Sequence, residues 1–398
     1  MPFDMTGALR PDLPPAADVW VDPPDHSFVG GHNCADTVPF AALAEAAVNA
    51  IGREGRNLAS YNLGGSPLGY RPLREFVADA MGRRAATPVD PEQVLITSGS
   101  LQALDLVNRA FLTPGDTVVI EQATYGGTIT RLADAGARWV GVALDDDGII
   151  PEDLDRVLTE LAAAGTRPRY VYTVPTIQNP TGSILPEARR LAVLDIARRH
   201  GVPIFEDDCY ADLVWDGARP PTFRALDDGG GQVIYCGSFS KSIAPALRVG
   251  YLIGDQLVIQ QLLALKTDAG TGAMEQLTVA EFAPPHFDAH VDRLIGVLRH
   301  KCDTMVAAVA AAFGDDVQIV PPKGGIYVWL TFPEGVDTSS FVDDAAAAGI
   351  EFNPGRGWAA DPAWGARRLR LCFGHVDVDR IESGVAQLAE VYRTATDR

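Results

Sequence analysis

The chain has 398 residues, of which 47% are apolar and 21% are charged. This length suits one large α/β domain with a smaller second domain, and no apolar run reaches the length of a membrane span. The 52 acidic residues outnumber the 33 basic ones, and the net charge of −19 disfavours binding to nucleic-acid phosphates. We therefore expect a globular protein with neither a membrane nor a nucleic-acid partner.

The cysteines and the N-terminus indicate where the protein works. The five cysteines are widely spaced, odd in number and without a CxxC pair, which disfavours a disulfide framework or a structural zinc site. The first twenty residues are rich in Pro and Asp, and they lack the basic and apolar regions of a secretory signal. We therefore predict a loose N-terminal arm and a cytoplasmic location.

Between about residue 90 and residue 255, short β-rich runs alternate with helical patterns. The predicted strands are VLITS, TVVIE, ARWVGVAL, RYVYTVP, VPIFED, QVIYCGS and RVGYLIG. One intervening helix is clearly delimited, because Pro186 and Glu187 begin it and Gly201 follows its end. The alternation predicts an α/β fold with a mostly parallel sheet covered by helices on both faces.

After about residue 255 the pattern changes to long helices, GGIYVWLTF, a helix near 337–348 and RRLRLCF, which favours a smaller α+β domain. We predict an N-terminal arm and covering segment at 1–50, a large domain at 51–285 and a small domain at 286–398. His286 and His290 are spaced like metal ligands on a helix. Because no third ligand accompanies them, we predict a solvated helix face and no metal site.

Polar residues follow four of the predicted strands, at the sheet edge where open α/β sheets bind ligands. Ser100 and Leu101 begin a predicted helix, and their free backbone N–H groups could bind a phosphate. Arg248 would contact the same phosphate through a bidentate guanidinium. The other polar residues at these strand ends are Asn179, Asp207, Tyr210, Ser238, Ser240 and Lys241. A phosphorylated cofactor follows from this pattern, although Asp207 taken on its own is better explained as a cap of the next helix.

The segments PTIQNPTG, FEDDCYADL and GSFSKSIAPALRVGYL resemble the signature motifs of fold-type I pyridoxal-phosphate aminotransferases of class I/II. The likeness is greatest to the aromatic amino-acid, kynurenine and 2-aminoadipate aminotransferases. It runs from about residue 28 to the C-terminus, with YNLGGSPLGYRPLREF, SGSLQAL, PPKGGIYVWL and RLRLCF in their expected order. The resemblance implies ping-pong transfer of an amino group between an L-amino acid and a 2-oxo acid, with pyridoxal and pyridoxamine 5'-phosphate as cofactor forms, in a homodimer that shares its active sites.

The resemblance also implies a role for each matching residue. Lys241 would form the cofactor imine and move the substrate proton, while Asp207 would keep the pyridine nitrogen protonated and Tyr125 would stack on the ring. Asn179 and Tyr210 would reach the ring hydroxyl, and Arg370 would bind the substrate α-carboxylate, near Asn179. The phosphate would be held by Ser100, the Leu101 N–H, Ser238, Ser240, Arg248 and Tyr61 of the partner subunit.

The segment VGGHNCADTVPF, residues 29–40, departs most from the family pattern. In the family it covers the substrate side chain, so Gly31, His32, Asn33 and Asp36 are candidates for substrate contact and specificity. Altered loop packing is the alternative explanation. A cationic or guanidino amino acid of a specialised pathway is one interpretation of the acidic chain and this segment.

Two other functions stay open from the sequence. An enzyme of the same fold with another outcome, such as a cyclase, an oxidase or a decarboxylase, would use the same Lys241 and Asp207. An aminotransferase-like regulator domain is the non-enzymatic alternative. We disfavour it because the residues before the first motif are too few and too acidic for a winged-helix domain.

Overall fold

The computed structural model describes residues 6–9, 13, 16, 24–85 and 88–396. The predicted loose arm lies mostly outside these residues. The helices are α1 Phe40–Glu54, α2 Arg71–Ala85, α3 Ser100–Phe111, α4 Gly126–Asp134, α5 Pro151–Ala163, α6 Glu187–Arg199, α7 Phe223–Leu226, α8 Gln256–Leu265, α9 Ala273–Phe313, α10 Val342–Ala347, α11 Pro362–Gly365 and α12 Val378–Thr396. None of these described helices is long and apolar enough to cross a membrane.

The strands form two main sheets and two small pairs. They are β1 His26–Ser27, β2 Val94–Thr97, β3 Thr117–Glu121, β4 Arg138–Val142, β5 Leu144–Asp145, β6 Gly148–Ile149, β7 Val171–Thr173, β8 Ile204–Asp207, β9 Val233–Ser238, β10 Gly250–Ile253, β11 Gln318–Ile319, β12 Tyr327–Thr331, β13 Ile350–Glu351, β14 Asn353–Pro354 and β15 Arg368–Cys372. All five cysteines are free, and the cytoplasmic location stays a prediction.

The larger sheet has seven strands in the order β2-β10-β9-β8-β7-β3-β4. Strand β10 runs antiparallel to both neighbours, and the other four pairs are parallel. Strands β2, β3 and β9 are buried along their whole length, as expected for apolar strands covered on both faces. The predicted α/β class with a mostly parallel sheet is confirmed.

The smaller sheet has four antiparallel strands in the order β11-β12-β15-β14. Helices α9 and α12 pack together beside it and give this part the predicted α+β character. The N-terminal segment joins the same part, because β1 pairs with β13 and the carbonyl of Phe28 accepts from the N–H of Cys372 at 2.8 Å. Residues 29–40 therefore begin at the edge of the smaller sheet and run toward the carboxyl ends of the larger one.

Helix α9 is continuous through the predicted domain boundary at residue 285, even though Pro284 and Pro285 lie within it. Residue 285 therefore marks no linker, and the division of the chain into domains stays a prediction. The expected solvated face is wrong for His290, which is 3% exposed, while His286 is exposed. His290 is buried because the face that it shares with Phe282 is packed against the rest of the protein.

Candidate active site

The candidate site is a cavity of about 630 Å³ between the carboxyl ends of the central strands and the four-stranded sheet. The predicted site residues that line it are Gly31, Ser100, Leu101, Tyr125, Asn179, Asp207, Tyr210, Ser240, Lys241, Arg248 and Arg370. Of the other predicted residues, His32 also lines it, whereas Asn33, Asp36, Tyr61 and Ser238 do not. The structure thus brings residues that lie far apart in sequence to one cavity.

Asp207 is the last residue of the central strand β8. Its Oδ2 accepts a hydrogen bond from the Tyr172 hydroxyl at 2.8 Å, whereas its buried Oδ1 has no partner among the described residues. Burial raises the pKa of the Asp207 carboxyl, and the nearby Cys209 and the hydrogen bond from Tyr172 oppose this rise. A buried acceptor without a partner calls for a donor from a bound molecule, and a protonated ring nitrogen meets that need.

Lys241 follows strand β9 and is enclosed by the cavity walls. Its Nζ donates to the carbonyl oxygen of Gly31 and lies 5.7 Å from the centre of the Tyr210 ring. Burial lowers the pKa of the Lys241 ammonium, and the nearby positive charges of Arg370 and Arg248 lower it further. A larger neutral fraction suits a lysine that must act as a nucleophile and a base.

The N-terminal end of α3 forms an anion site at one side of the cavity. Gly99 precedes the helix with φ of +78°, and a Cβ there would collide with the Arg248 guanidinium. The first N–H groups of α3 have no side-chain cap, and Arg248 Nη1 lies 3.4 Å from the Ser240 hydroxyl. Ser238 is buried behind this surface, where its oxygen accepts from the Ser240 N–H at 3.1 Å. The arrangement fits a phosphate group.

A chain of hydroxyls and an amide crosses the opposite wall. The Tyr210 hydroxyl lies 3.0 Å from that of Tyr327 and 3.4 Å from the Asn179 amide nitrogen. Tyr327 was not predicted, although it lies within the PPKGGIYVWL segment. The alternation of side chains along β12 indicates which residues share a face of the strand. Which of the two faces lines the cavity is decided by tertiary packing, so the sequence pattern alone could not identify Tyr327.

Arg370, on β15, is 2% exposed and lies between two aromatic rings, with its guanidinium carbon 4.0 Å from the Tyr327 ring centre and 3.7 Å from that of Trp358. Its Nη2 donates to the Gly30 carbonyl at 2.7 Å and to Asn353 at 2.6 Å, while its buried Nε has no partner among the described atoms. Since Nη1 donates to Asn179 at 3.2 Å, the Nε–H is the donor of this guanidinium that is left for a bound group. Sequence reasoning missed Trp358 and Asn353, which lie in no motif.

The segment 29–40 contributes to the cavity only through its first residues. Gly31 and His32 line the wall, and the His32 ring stacks on His375 with 4.4 Å between ring centres. Asn33 donates to the Lys241 carbonyl at 2.7 Å and so connects this segment to the lysine loop. Asp36 is exposed outside the cavity, and Tyr61 is 82% exposed and outside the cavity of its own subunit.

A family model described as aminotransferase class I and II matches residues 30–388. An aromatic-amino-acid aminotransferase of Thermococcus litoralis is 32% identical over 92% of this chain and 88% of the relative. A 2-aminoadipate transaminase of Thermus thermophilus is 34% identical over 92% of this chain and 90% of that protein. The structure of Pyrococcus horikoshii kynurenine aminotransferase in complex with PMP matches with a TM-score of 0.87 at 32% identity, over 92% of this chain and 90% of that one.

Proposed function

Because this chain belongs to the class I and II aminotransferases, we propose that it transfers an amino group from an L-amino acid to a 2-oxo acid by a ping-pong mechanism in the cavity described above. The resemblance drawn from the motifs is confirmed, together with its subgroup and its pyridoxal 5'-phosphate cofactor. The relatives named as aminotransferases support an enzyme over the alternative of a regulator domain. The observation that carries the proposed site is the unpartnered Asp207 oxygen in a cavity that also holds Lys241.

Asp207 and Lys241 would act at the reacting end of the cavity. When bound, pyridoxal 5'-phosphate supplies a reactive carbonyl and a ring that accepts electrons from the substrate Cα. The Asp207 carboxylate would accept a hydrogen bond from the pyridine nitrogen and keep that nitrogen protonated. Lys241, whose pKa is lowered by burial, would take the proton from the substrate Cα and pass it to the cofactor carbon that carried the carbonyl group.

Arg370 and the α3 terminus would hold the two anionic groups. A substrate carboxylate is a stronger acceptor than the Gly30 carbonyl, so it would displace that carbonyl and bind to the Nε edge of Arg370. The free N–H groups of α3, with Ser240 and Arg248, would hold the cofactor phosphate. Fixing both anions leaves the substrate side chain as the variable part of the complex.

The cavity wall favours a neutral, aromatic side chain on the donor. Tyr125 and Trp358 line it with ring centres 5.9 Å apart, and Asp207 is its one carboxylate among the described lining residues. The names of the two relatives, which refer to aromatic amino acids and 2-aminoadipate, agree with a donor that is not cationic. A cationic or guanidino donor is the second candidate, because aromatic faces attract cations even without a carboxylate.

The proposed function is tested by borohydride reduction and a substrate screen. Reduction of the holoenzyme should fix the cofactor to Lys241, and an adduct at Lys266, Lys301 or Lys323 would contradict the assignment. A screen of amino donors and oxo acceptors by mass spectrometry should give turnover only when both are present. Turnover without an acceptor would instead favour a cyclase, oxidase or decarboxylase reaction of the same fold.

A second copy of the chain would cover an exposed apolar stripe on α1. Phe40, Val48 and Ile51 are 63%, 69% and 44% exposed, and the spacing places them on one side of the helix. Tyr61, which comes after α1 in the chain, is also strongly exposed, in agreement with its expected role across a homodimer. Light scattering should show a dimer that Val48→Glu weakens. The control Leu191→Glu, at a 47% exposed site on α6, should leave the dimer intact.

A further inference from the structure

The Asp207 carboxylate is held from behind by a residue of the neighbouring strand. Strands β7 and β8 are parallel, and Tyr172 lies opposite Phe205 in their register. The Tyr172 side chain is completely buried, and its ring packs at 64° against the Phe205 ring with 5.7 Å between centres. Its hydroxyl donates to Asp207 Oδ2 at 2.8 Å. Tyr172 itself does not line the cavity.

The hydrogen bond from the Tyr172 hydroxyl decides which oxygen of the Asp207 carboxylate is free. A carboxyl group turns about its Cβ–Cγ bond, so both oxygens of an unrestrained aspartate exchange places. The buried Tyr172 ring has no room to follow such a rotation, and its hydrogen bond occupies Oδ2. Oδ1 is left as the oxygen without a partner. The orientation needed for binding a ring nitrogen therefore exists before the cofactor arrives.

The ionisation of both groups agrees with this arrangement. Burial raises the pKa of the Tyr172 hydroxyl well above its ordinary value, so the hydroxyl keeps its proton and remains a donor throughout the working pH range. Burial also raises the pKa of the Asp207 carboxyl, and the hydrogen bond from Tyr172 is among the contacts that oppose this effect. A charged acceptor strengthens the bond that holds it.

We propose that Tyr172 is a positioning residue for the reaction, because its hydroxyl fixes one oxygen of Asp207 and directs the other toward the cofactor ring nitrogen. The proposal rests on the role given to Asp207 in the proposed function. Loss of the hydroxyl would leave the cavity lining unchanged but would allow the carboxylate to rotate. Loss of the Tyr172 hydroxyl should therefore weaken cofactor binding and lower kcat, whereas the KM of the amino donor should change little.

The test compares Tyr172→Phe with Tyr170→Phe. Tyr170 is a matched control, since it is 1% exposed, lies two residues earlier and donates to Asn108 at 2.5 Å, away from Asp207. Tyr172→Phe should lower kcat about tenfold, the factor expected for one hydrogen bond to a charged group, and should weaken binding of pyridoxal 5'-phosphate to the apoenzyme severalfold. Tyr170→Phe should leave both near wild type. Equal values for the two variants would overturn the proposal.

Stability and coupling separate the remaining outcomes. Both variants lose a buried hydroxyl and should lose Tm, but the rise in Tm on adding the cofactor should shrink only in Tyr172→Phe. In an Asp207→Asn background, adding Tyr172→Phe should cause no further fall in kcat. A fall in kcat as large as in the wild-type background would overturn the proposal. If Asp207→Asn alone left turnover intact, the failure would lie in the proposed role of Asp207.

Discussion

Strands β3 and β8 each end in a carboxylate, which is buried at Glu121 and half-buried at Asp207, and the two carboxylates have very different surroundings. Glu121 Oε1 accepts from the Thr173 hydroxyl at 2.7 Å, and its Oε2 accepts from the Val174 N–H and the Gln178 amide at 3.2 and 3.0 Å. Asp207 has a hydrogen bond on one oxygen and a buried, unpartnered second oxygen. Strand β7 lies between them and supplies donors to both.

The hydrogen bonds of Glu121 are all made within the protein, whereas one oxygen of Asp207 is left for a donor on a bound molecule. Glu121 fixes Gln178, which in turn binds Thr181 and shapes the turn that carries Asn179. Asp207 keeps a buried acceptor without a donor, which costs stability unless a bound group supplies one. Satisfied hydrogen bonding is typical of a structural carboxylate such as Glu121, and the unpartnered oxygen of Asp207 agrees with the role proposed for it.

The strongest test of this contrast is Asp207→Asn. The amide cannot balance the positive charge of a protonated ring nitrogen, so turnover should fall several hundredfold or more while the fold persists. Steady-state kcat and the Tm of the apoenzyme check the two halves of the statement. A nearly normal rate would break the comparison, since Asp207 would then be no more functional than Glu121.

Arg370 sharpens the comparison with the opposite charge, because it too is buried with one polar atom unpartnered. A lysine cannot reproduce its two-pronged contact, so Arg370→Lys should cost about 2 to 4 kcal/mol in kcat/KM for every amino donor and oxo acceptor. Amines without a carboxylate should lose nothing comparable. A fall in kcat/KM for only one donor would show that Arg370 contacts the side chain of the substrate and not the carboxylate that all substrates share.

Glu121→Gln should affect stability more than activity. Burial raises the pKa of Glu121 to about 7 from 4.5, so the native state holds its proton more tightly than the unfolded state does. The stabilisation from Glu121 is complete below pH 4.5 and is lost as pH rises through about 7, on the order of 3 kcal/mol. Denaturant unfolding of both proteins at several pH values should show this slope in the wild type alone. If the free energy of unfolding changed with pH in the same way in both proteins, the pH dependence would come from a group other than Glu121.

The smallest effects should come from the segment 29–40. His32 lines the cavity and Asp36 does not, so His32→Ala should change the ranking of donors by a few fold, within the roughly tenfold that one lost side-chain contact commonly causes. Asp36→Ala should leave the ranking within about twofold unless a second subunit brings a substrate to it. Ratios of kcat/KM across several donors decide this. A larger change for Asp36 would restore its predicted role in specificity.

The sequence predicted the cofactor side of the cavity better than the substrate side. Asp207, Asn179 and Lys241 lie at the ends of buried strands whose apolar runs are contiguous, so their convergence follows from the sheet alone. Trp358 and Asn353 reach the cavity only because the smaller sheet packs over it, and no local pattern records that packing. The roles assigned to the individual residues stay predictions.

The fold shows the same division between local and long-range information. Most strands matched their apolar runs, but ARWVGVAL is split into β4 and β5, and the antiparallel direction of β10 has no signature in its own residues. The buried position of His290 depends likewise on what packs against α9. Periodicity describes one element at a time, whereas these features arise from pairs of elements.

Helix α9 takes part in two separate apolar cores and so couples their unfolding. Its 41 residues extend about 60 Å at 1.5 Å per residue, with Phe282 and Phe287 in one apolar core and Leu298 and Met305 in another. Neither core can separate without exposing part of the same helix to water. We therefore expect amide protons near its middle to exchange through whole-molecule unfolding and both sheets to melt in a single cooperative step.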